Sequence, residues 1–336
     1  MEFNTDILED EILSTFGEEV LERLLRCHSR KYADVGNKKV DDKDYPRYHI
    51  VWATDDYSSN GDGFRANEHI VVARITKQYG NLIQPRAVKN AEIQRQRTQQ
   101  RAEVFTPAWV CNAQNNLIDN AWFEARGKPV RQGGWFNVET EDHSWTTNPQ
   151  PIFEEAEGDL WQEYVKDVRI EITCGEAPYL VSRYDATDGR MIEPISRRIG
   201  LLDRKLRVVN EHCSSNDDWL HWAEAALKAT YGFEFQGDNL LLAREALFLT
   251  MVRYYYDKFD VLPAKDTCKL WAYIISWNLF QMDGLTYKVP FSEYQIENPN
   301  LFGVDMEKND GINAVIRDWS KKSKTVEEFS MIAKTK

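Results

Sequence analysis

The chain has 336 residues, with 54 acidic and 42 basic side chains and a formal net charge of −12. This length suffices for one large or two modest domains, and the acidic balance excludes nucleic-acid binding by bulk charge but not by a local basic groove. Five scattered cysteines without a CxxC pair predict reduced thiols, no bound metal and a cytoplasmic location. Because no apolar stretch reaches membrane-spanning length and the amino terminus is acidic, we expect neither a membrane anchor nor a signal peptide.

The first hundred residues predict an α+β extension. Apolar side chains recur at helical spacing over residues 5–27, with Asp6 as a possible cap. Two strand-like runs follow at residues 48–53 and 69–75. We therefore expect residues 1–100 to form an extension ahead of the main domain.

Residues 85–101 are the most basic part of the chain. Arg95, Arg97 and Arg101 lie here, and Glu92 is the single acidic residue among them. The stretch is either a solvated helix face or a surface that contacts phosphates and releases condensed counterions. In the second case these three arginines are the candidate nucleic-acid-binding residues.

A helix is predicted directly after Pro107, because proline is favoured in the first helical turn. It extends to about residue 125 in the sequence pattern. Its predicted inner face carries the following apolar side chains: Trp109, Val110, Leu117, Ile118, Ala121 and Trp122.

The most informative segment is a strand followed by a tight turn. Val168, Ile170 and Ile172 alternate along the strand, and Glu171 precedes the small-residue turn that contains Cys174 and Gly175. Glycine lets a ligand approach the backbone closely, and the carboxyl edge of an α/β sheet is where nucleotide-like ligands bind. An ordinary strand-to-loop turn is the alternative interpretation.

The second half of the chain predicts alternating helices and strands. A helix over 219–230 leads into a short strand at 231–235, where Glu234 could accept hydrogen bonds from ribose hydroxyls. A second helix is expected at 239–256, and the apolar run 270–276 predicts a strand buried on both faces of a parallel sheet. A turn follows, with Phe280 and Asp283 as candidate ligand contacts, although Asp283 before Gly284 is also a common turn pair.

Taken in order, four segments of this chain resemble the amino-methylating DNA methyltransferases, above all the modification subunits that methylate the exocyclic amine of adenine. The segments are Phe105-Thr106-Pro107, the strand and turn over 168–180, the strand around Glu234, and the turn over 278–284. The resemblance covers roughly residues 95–300. It implies an α/β fold with a Rossmann-like class I methyltransferase sheet and helices on both faces over residues 101–305, followed by a tail over 306–336.

The resemblance also implies S-adenosylmethionine as cofactor. The residues that it assigns to cofactor binding are Phe105, Thr106, Glu171, Cys174, Gly175, Ala177, Glu234, Phe280 and Asp283. Either Glu171 or Glu176 would face the ammonium group of the cofactor. The chain departs from the family pattern in two places, because no proline follows Glu171 and Ala177 replaces the second glycine. Alanine allows close approach as long as its backbone dihedrals stay in the ordinary regions.

The catalytic motif is degenerate. The family uses a polar residue, two prolines and an aromatic residue to bind the target amine and stack on an extruded base. The nearest match runs from Asn298 to Phe302, without the second proline, and a simple turn at Asn298-Pro299 is the alternative.

Two functions follow from the resemblance. The first is a methyltransferase acting on adenine in DNA, within a restriction-modification or phage-defence system. Since too few residues follow Phe302 for a target-recognition domain, this enzyme would need a specificity or partner subunit. The second is a catalytically silent methyltransferase-fold protein that binds S-adenosylmethionine or a partner subunit.

Overall fold

The computed structural model describes residues 9–88, 106–131, 133–300, 303–321 and 326–333. Its amino-terminal part contains three short helices: α1 (Glu9–Phe16), α2 (Glu18–Leu25) and α3 (His28–Val35). The prediction of a single helix over 5–27 is wrong, because the helix is interrupted at Gly17. That residue has φ of +96°, a conformation that glycine adopts at little cost but other residues rarely do.

The two strand-like runs near residues 50 and 70 meet at one isolated antiparallel bridge, between Val51 and His69. The second run then continues as a short 3-10 helix, Val72–Arg74. A regular two-stranded ladder is therefore not formed here.

The middle of the chain supplies one long helix, a hairpin and the first strand of the main sheet. These elements are α4 (Ala108–Glu124), β1 (Asn137–Glu139), β2 (Trp145–Thr147), α5 (Leu160–Lys166) and β3 (Arg169–Glu171). The predicted start of a helix after Pro107 is confirmed. The predicted strand around Ile170 is confirmed as well.

Four helices and two further strands follow. They are α6 (Leu201–His212), α7 (Asn216–Lys228), β4 (Thr230–Glu234), α8 (Gly237–Phe259), α9 (Lys265–Asn278) and β5 (Leu279–Gln281). The strand predicted over 270–276 is wrong, since these residues belong to α9 and the strand begins only at Leu279. A short apolar run fits a buried helix as well as a buried strand, and periodicity cannot separate the two.

The described carboxy-terminal part contains two antiparallel hairpins and a short helix. Its elements are β6 (Tyr294–Asn300), β7 (Gly303–Asn309), β8 (Val315–Arg317), β9 (Val326–Glu328) and α10 (Phe329–Ala333).

The main sheet has three parallel strands in the order β3-β4-β5. Ile170 pairs with Tyr231 across the first two strands, and Phe233 pairs with Phe280 across the next two. Parallel strands need crossover connections, which α6 and α7 provide before β4 and α8 and α9 provide before β5. The chain is therefore a mixed α/β protein whose central sheet is parallel, with the carboxyl ends of all three strands at one edge.

The amino-terminal residues share the core of this sheet. Phe16 packs edge-on against Phe248 of α8, with 5.0 Å between ring centroids. The side chain of Gln281 pairs with the backbone N–H and C=O of Val51 at 2.9 and 2.8 Å. A Cβ atom on Gly237 would lie 2.0 Å from the Val51 carbonyl oxygen, so only glycine allows this close approach. The division predicted at residues 100 and 305 stays a prediction.

Helix α4 is oriented opposite to the prediction. Its buried face carries Asn112, Asn115, Asn116 and Asp119, whereas Leu117 is 69% exposed and Ile118 is 37% exposed. Trp109 and Ala121 are also exposed, and only Trp122 of the predicted inner face is fully buried while Val110 is half-buried.

A buried polar network explains this orientation. The Arg204 guanidinium donates to Asp119 Oδ2 at 2.6 Å and to Asn112 Oδ1 at 2.9 Å. Tyr164 Oη donates to the other carboxylate oxygen of Asp119 at 2.8 Å. Because an unpaired buried guanidinium is costly, Arg204 draws the polar face of α4 inward and leaves the apolar face outside.

Candidate functional site

A cavity of about 840 Å³ opens at the carboxyl ends of β3 and β4. Glu171 and Glu234, the last residues of these strands, both line it, as do Thr106 and Ile118 from the other side. The volume lies within the range of small-molecule sites, and this edge of a parallel sheet is where ligands of open α/β folds bind.

The loop after β3 bends through three left-handed residues. Thr173, Gly175 and Ala177 have φ of 47°, 52° and 61°. The condition stated for close approach at Ala177, ordinary backbone dihedrals, is therefore not met, since alanine adopts here the conformation that favours glycine. Non-glycine residues in this region cost about 1–2 kcal/mol each, and such strain concentrates at functional sites.

Hydrogen bonds to β4 hold the loop in place. The backbone N–H of Cys174 donates to the Phe233 carbonyl oxygen at 2.9 Å, and the N–H of Gly175 donates to Glu234 Oε2 at 2.9 Å. The N–H of Ala177 donates to the Cys174 carbonyl oxygen at 2.7 Å. The loop is thus built onto the strand that carries the second carboxylate of the cavity.

Glu234 connects the loop after β3 to the turn after β4. Besides the Gly175 bond, its Oε1 accepts from the Gln236 N–H at 3.1 Å. Burial raises the pKa of Glu234 above its ordinary value, although the backbone donors act in the opposite direction. Each carboxylate oxygen has further lone pairs, so hydroxyl or amine groups of a ligand can still bind.

Glu171 faces the same cavity from β3. It accepts a hydrogen bond from the Leu180 N–H at 3.2 Å. Burial raises the pKa of Glu171 well above its ordinary value, and the nearby charge of Glu234 adds to the shift. Two carboxyl groups with raised pKa values in one cavity make a site that favours a cationic or hydroxyl-rich ligand.

Cys174 contributes shape rather than reactivity. Its thiol is buried, and burial raises its pKa well above the ordinary value, so the sulfur is held as a neutral thiol. A Cβ on Gly232 would lie 3.3 Å from this sulfur, so the thiol packs closely against β4, and Cys174 also lines the cavity.

Five of the predicted cofactor residues line the cavity: Thr106, Glu171, Cys174, Gly175 and Glu234. Ala177 does not line it and is fully buried in the core behind the loop. Of Glu171 and Glu176, only Glu171 lines the cavity. Glu176 turns away, accepting from the Arg86 N–H and from Tyr184 Oη at 2.7 Å each.

Phe280 and Asp283 do not line the cavity. Phe280 is 4% exposed and packs in a separate apolar cluster against Phe233 and Phe329. Asp283 Oδ1 accepts from the backbone N–H groups of Leu285 and Thr286, which is the turn role held open as the alternative. Because β5 is separated from β3 by β4, its end lies one strand further from the loop at Gly175.

The backbone of Asn298 lies within β6 and pairs with Asp305 in β7. The interpretation of Asn298-Pro299 as a turn is therefore wrong, because both residues are in a strand. The catalytic role of Asn298 stays a prediction. The following candidates lie outside the described residues: Phe302, Phe105, Arg95, Arg97 and Arg101.

Four amide side chains also line the cavity and were not predicted: Gln114, Asn115, Gln236 and Asn239. The Asn115 Nδ2 donates to the carbonyls of Tyr179 and Ile199 at 3.0 Å each, whereas its buried Oδ1 has no hydrogen-bond partner among the described residues. A ligand donor would satisfy that oxygen. Gln236 and Asn239 were recognisable as polar residues at the strand-to-helix junction, but Asn115 appeared only as part of a helix.

In the part of the chain that the structure describes, no group of three His, Cys, Asp or Glu side chains is placed to hold a metal ion. None of the described helices is long and apolar enough to span a membrane. Comparison with models of known protein families, with curated proteins and with solved structures finds no match to this chain.

Proposed function

We propose that this chain binds S-adenosylmethionine in the cavity and acts in methylating the exocyclic amine of adenine in DNA. The observation that carries the proposal is the pair of carboxylates, Glu171 and Glu234, at the ends of adjacent parallel strands around one strained loop. A ligand with a cationic end and a sugar matches this pair.

The residues present fit the parts of the cofactor. Glu234 would accept bonds from the ribose hydroxyls, and Glu171 would stabilise the ammonium group. The unpaired Asn115 Oδ1 would accept from a ligand N–H or O–H. Phe235, which lines the cavity and is 36% exposed, would cover the adenine ring in place of the buried Phe280. The bound cofactor supplies an electrophilic methyl group to an amine.

A second candidate is a silent protein that binds the cofactor but transfers no methyl group. It is favoured by the position of Asn298 inside a hairpin strand rather than in a loop at the carboxyl edge of the sheet. On that account the chain keeps the cofactor site and lacks the group that holds the acceptor.

Calorimetric titration of the purified chain with S-adenosylmethionine tests both candidates. Glu234→Gln should weaken binding by about 10- to 100-fold, since a charge-assisted hydrogen bond contributes about 1.5–3 kcal/mol. Glu224→Gln is the matched control, because Glu224 lies on α7 and pairs with Lys228 at 3.2 Å. The control should bind like the unmodified chain, and failure of the unmodified chain to bind would contradict both candidates.

Transfer of labelled methyl groups to DNA separates the two. Incorporation that Asn298→Ala abolishes would support the enzyme. Cofactor binding without incorporation, with or without added protein subunits, would support the silent protein and contradict the enzyme.

A further inference from the structure

One side of the sheet carries an exposed apolar surface. Val168, Ile170 and Ile172 are 66%, 44% and 67% exposed, and they project to one face by strand alternation. Leu117 and Ile118 are exposed on the outer face of α4, and Ile118 lines the cavity together with Ile170. We use the term open edge for these five residues together with the backbone edge of β3 that faces away from β4. Contiguous apolar surface of this kind marks interaction sites on soluble proteins.

The backbone of β3 is free on the same side. In the described part of the chain β3 pairs with β4 alone, and the Arg169 N–H bonds to the Ala229 carbonyl oxygen at 2.9 Å. Since backbone groups alternate in direction along a strand, the N–H and C=O of Ile170 point to the open edge. Charged side chains, above all lysine, and proline commonly protect a free edge against pairing. The segment from Val168 to Ile172 contains no lysine or proline, and its two charged side chains bind within this chain: Arg169 pairs with Asp167 at 2.7 Å and Glu171 accepts from the Leu180 N–H at 3.2 Å.

The strand order indicates where a further strand would be added to the described sheet, next to β3. The three strands follow one another outward from β3 in chain order. In doubly wound sheets the ligand lies where this order reverses, between the first strand and its neighbour on the other side. The cavity is at the carboxyl end of β3, with β4 and its loop on one side and Thr106 and Ile118 on the other. A strand on the open edge would end beside this cavity, next to Ile170.

The last described hairpin and helix pack against β4 and β5. Phe329 of α10 contacts Phe280 of β5, with 5.4 Å between ring centroids. Tyr231 Oη donates to the Arg317 carbonyl oxygen of β8 at 2.9 Å. The hairpin of β8 and β9 is therefore on the β4 and β5 part of the sheet, and it leaves Ile170 of β3 44% exposed.

We propose that the open edge docks a second protein of different sequence, which adds a strand parallel to β3 and a helix over its apolar face. This inference rests on the proposed function. The added strand would end at the cavity, so the loop after it would be placed to hold the methyl acceptor. Because this chain has a net charge of −12, the partner is expected to be basic and to supply the phosphate contacts for DNA.

A second copy of this chain does not meet these requirements. Pairing of β3 with its own copy across a two-fold axis perpendicular to the sheet joins the strands antiparallel. The carboxyl ends would then lie at opposite edges of the sheet, and neither cavity would gain a strand end beside it.

Site-specific photo-crosslinking tests the proposal. A photoreactive amino acid replaces Val168 in the full chain, expressed in the cells that normally make it. Val138 of β1, which is 45% exposed, is the matched control position. Val168 should cross-link one protein of different sequence, at a segment with alternating apolar residues. Three outcomes would overturn the proposal. They are cross-links to another copy of this chain, cross-links to a segment of the partner that is not a strand, and a cross-linking yield at Val168 no higher than that at Val138.

This chain and the cross-linked partner are then purified, and their complex formation, hydrogen exchange and S-adenosylmethionine affinity are measured. Val168→Asp should abolish the complex and Val138→Asp should not, while neither changes the folding of the isolated chain. The partner should protect the Ile170 amide from hydrogen exchange and tighten S-adenosylmethionine binding at least tenfold, a gain that Val168→Asp removes. An unprotected Ile170 amide overturns the docking geometry even if the cofactor binds. A complex that protects this amide but binds no cofactor instead overturns the proposed function and leaves the docking surface standing.

Discussion

Two neighbouring strands of one sheet differ sharply in their surroundings. All five residues of β4 are buried, whereas no residue of β3 is fully buried and Ile170 is 44% exposed. Ile170 of β3 and its register partner Tyr231 of β4 project to the same face, yet Tyr231 is only 8% exposed. The difference therefore lies in what covers each strand. The β4–β5 side of the sheet is closed by helices, and the β3 side is left open next to the cavity.

The closed side is held by apolar packing and one buried cation. Trp219 and Trp271 are fully buried there. The Arg244 guanidinium donates to backbone carbonyls at the ends of α2 and α9, including those of Leu24 and Leu279. The open side, in contrast, positions α4 through hydrogen bonds, which leaves apolar side chains free to face outward. Helix α4 can therefore expose Leu117 and Ile118 to a partner while the Asp119–Arg204 pair holds it in place.

The largest effect is expected from Asp119→Ala, which breaks the anchorage of the open side. Asp119 and Arg204 both have fully buried side chains, 2.6 Å apart at their closest charged atoms. Removing the carboxylate leaves a buried guanidinium unpaired, so the free energy of unfolding should fall by about 3–5 kcal/mol. Urea denaturation followed by circular dichroism measures this loss.

The control for that change is Glu163→Ala. Glu163 pairs with Arg126 at 3.2 Å on the surface, with its side chain 62% exposed. An exposed pair of this kind contributes at most about 1 kcal/mol. Similar losses for Asp119→Ala and Glu163→Ala would mean that the polar network does not hold α4.

A matched pair of isoleucines tests the contrast between the two sides directly. Ile274 in α9 is fully buried and Ile172 after β3 is 67% exposed. Ile274→Ala should lower the free energy of unfolding by about 2–5 kcal/mol, while Ile172→Ala should change it by no more than about 0.5 kcal/mol. If chemical denaturation gives equal losses, then the open edge is covered in solution even without a partner.

The smallest effect concerns pH. The raised pKa of Glu171 means that the folded chain binds more protons than the unfolded chain above pH 4.5, so this group lowers stability as pH rises toward the folded pKa. Glu171→Gln lacks this contribution and should lose less stability between pH 5 and pH 8 than the unmodified chain. Denaturation curves at three pH values measure the two slopes, and identical slopes would show that Glu171 is ionised without penalty.

The cavity was predictable in its main parts because it depends on local patterns. Alternation around Ile170 indicated a strand, and a glycine in the next few residues indicated a turn that could approach a ligand. Glu234 was likewise placed at a strand end by the short apolar run before it. These features are encoded by residues close together in the chain, so they can be recognised without knowing the rest of the fold.

Other features depend on distant partners and were not predictable. The orientation of α4 depends on Arg204, some 85 residues further along the chain, whose charge must be neutralised inside the protein. The assignment of residues 270–276 to a helix depends on what packs around them, since the same apolar run suits either structure. Phe280 and Asp283 were excluded from the cavity by the order of the strands, which no local pattern encodes.

The amino-acid pattern was thus sufficient to place an acidic strand end and a bent loop side by side as a candidate ligand site. Only the tertiary structure showed that the apolar face of α4 turns outward and that β3 has an unpaired edge among the described residues. The reason is that burial and charge neutralisation are properties of residues brought together from far apart, whereas strand alternation and turn geometry are properties of neighbours.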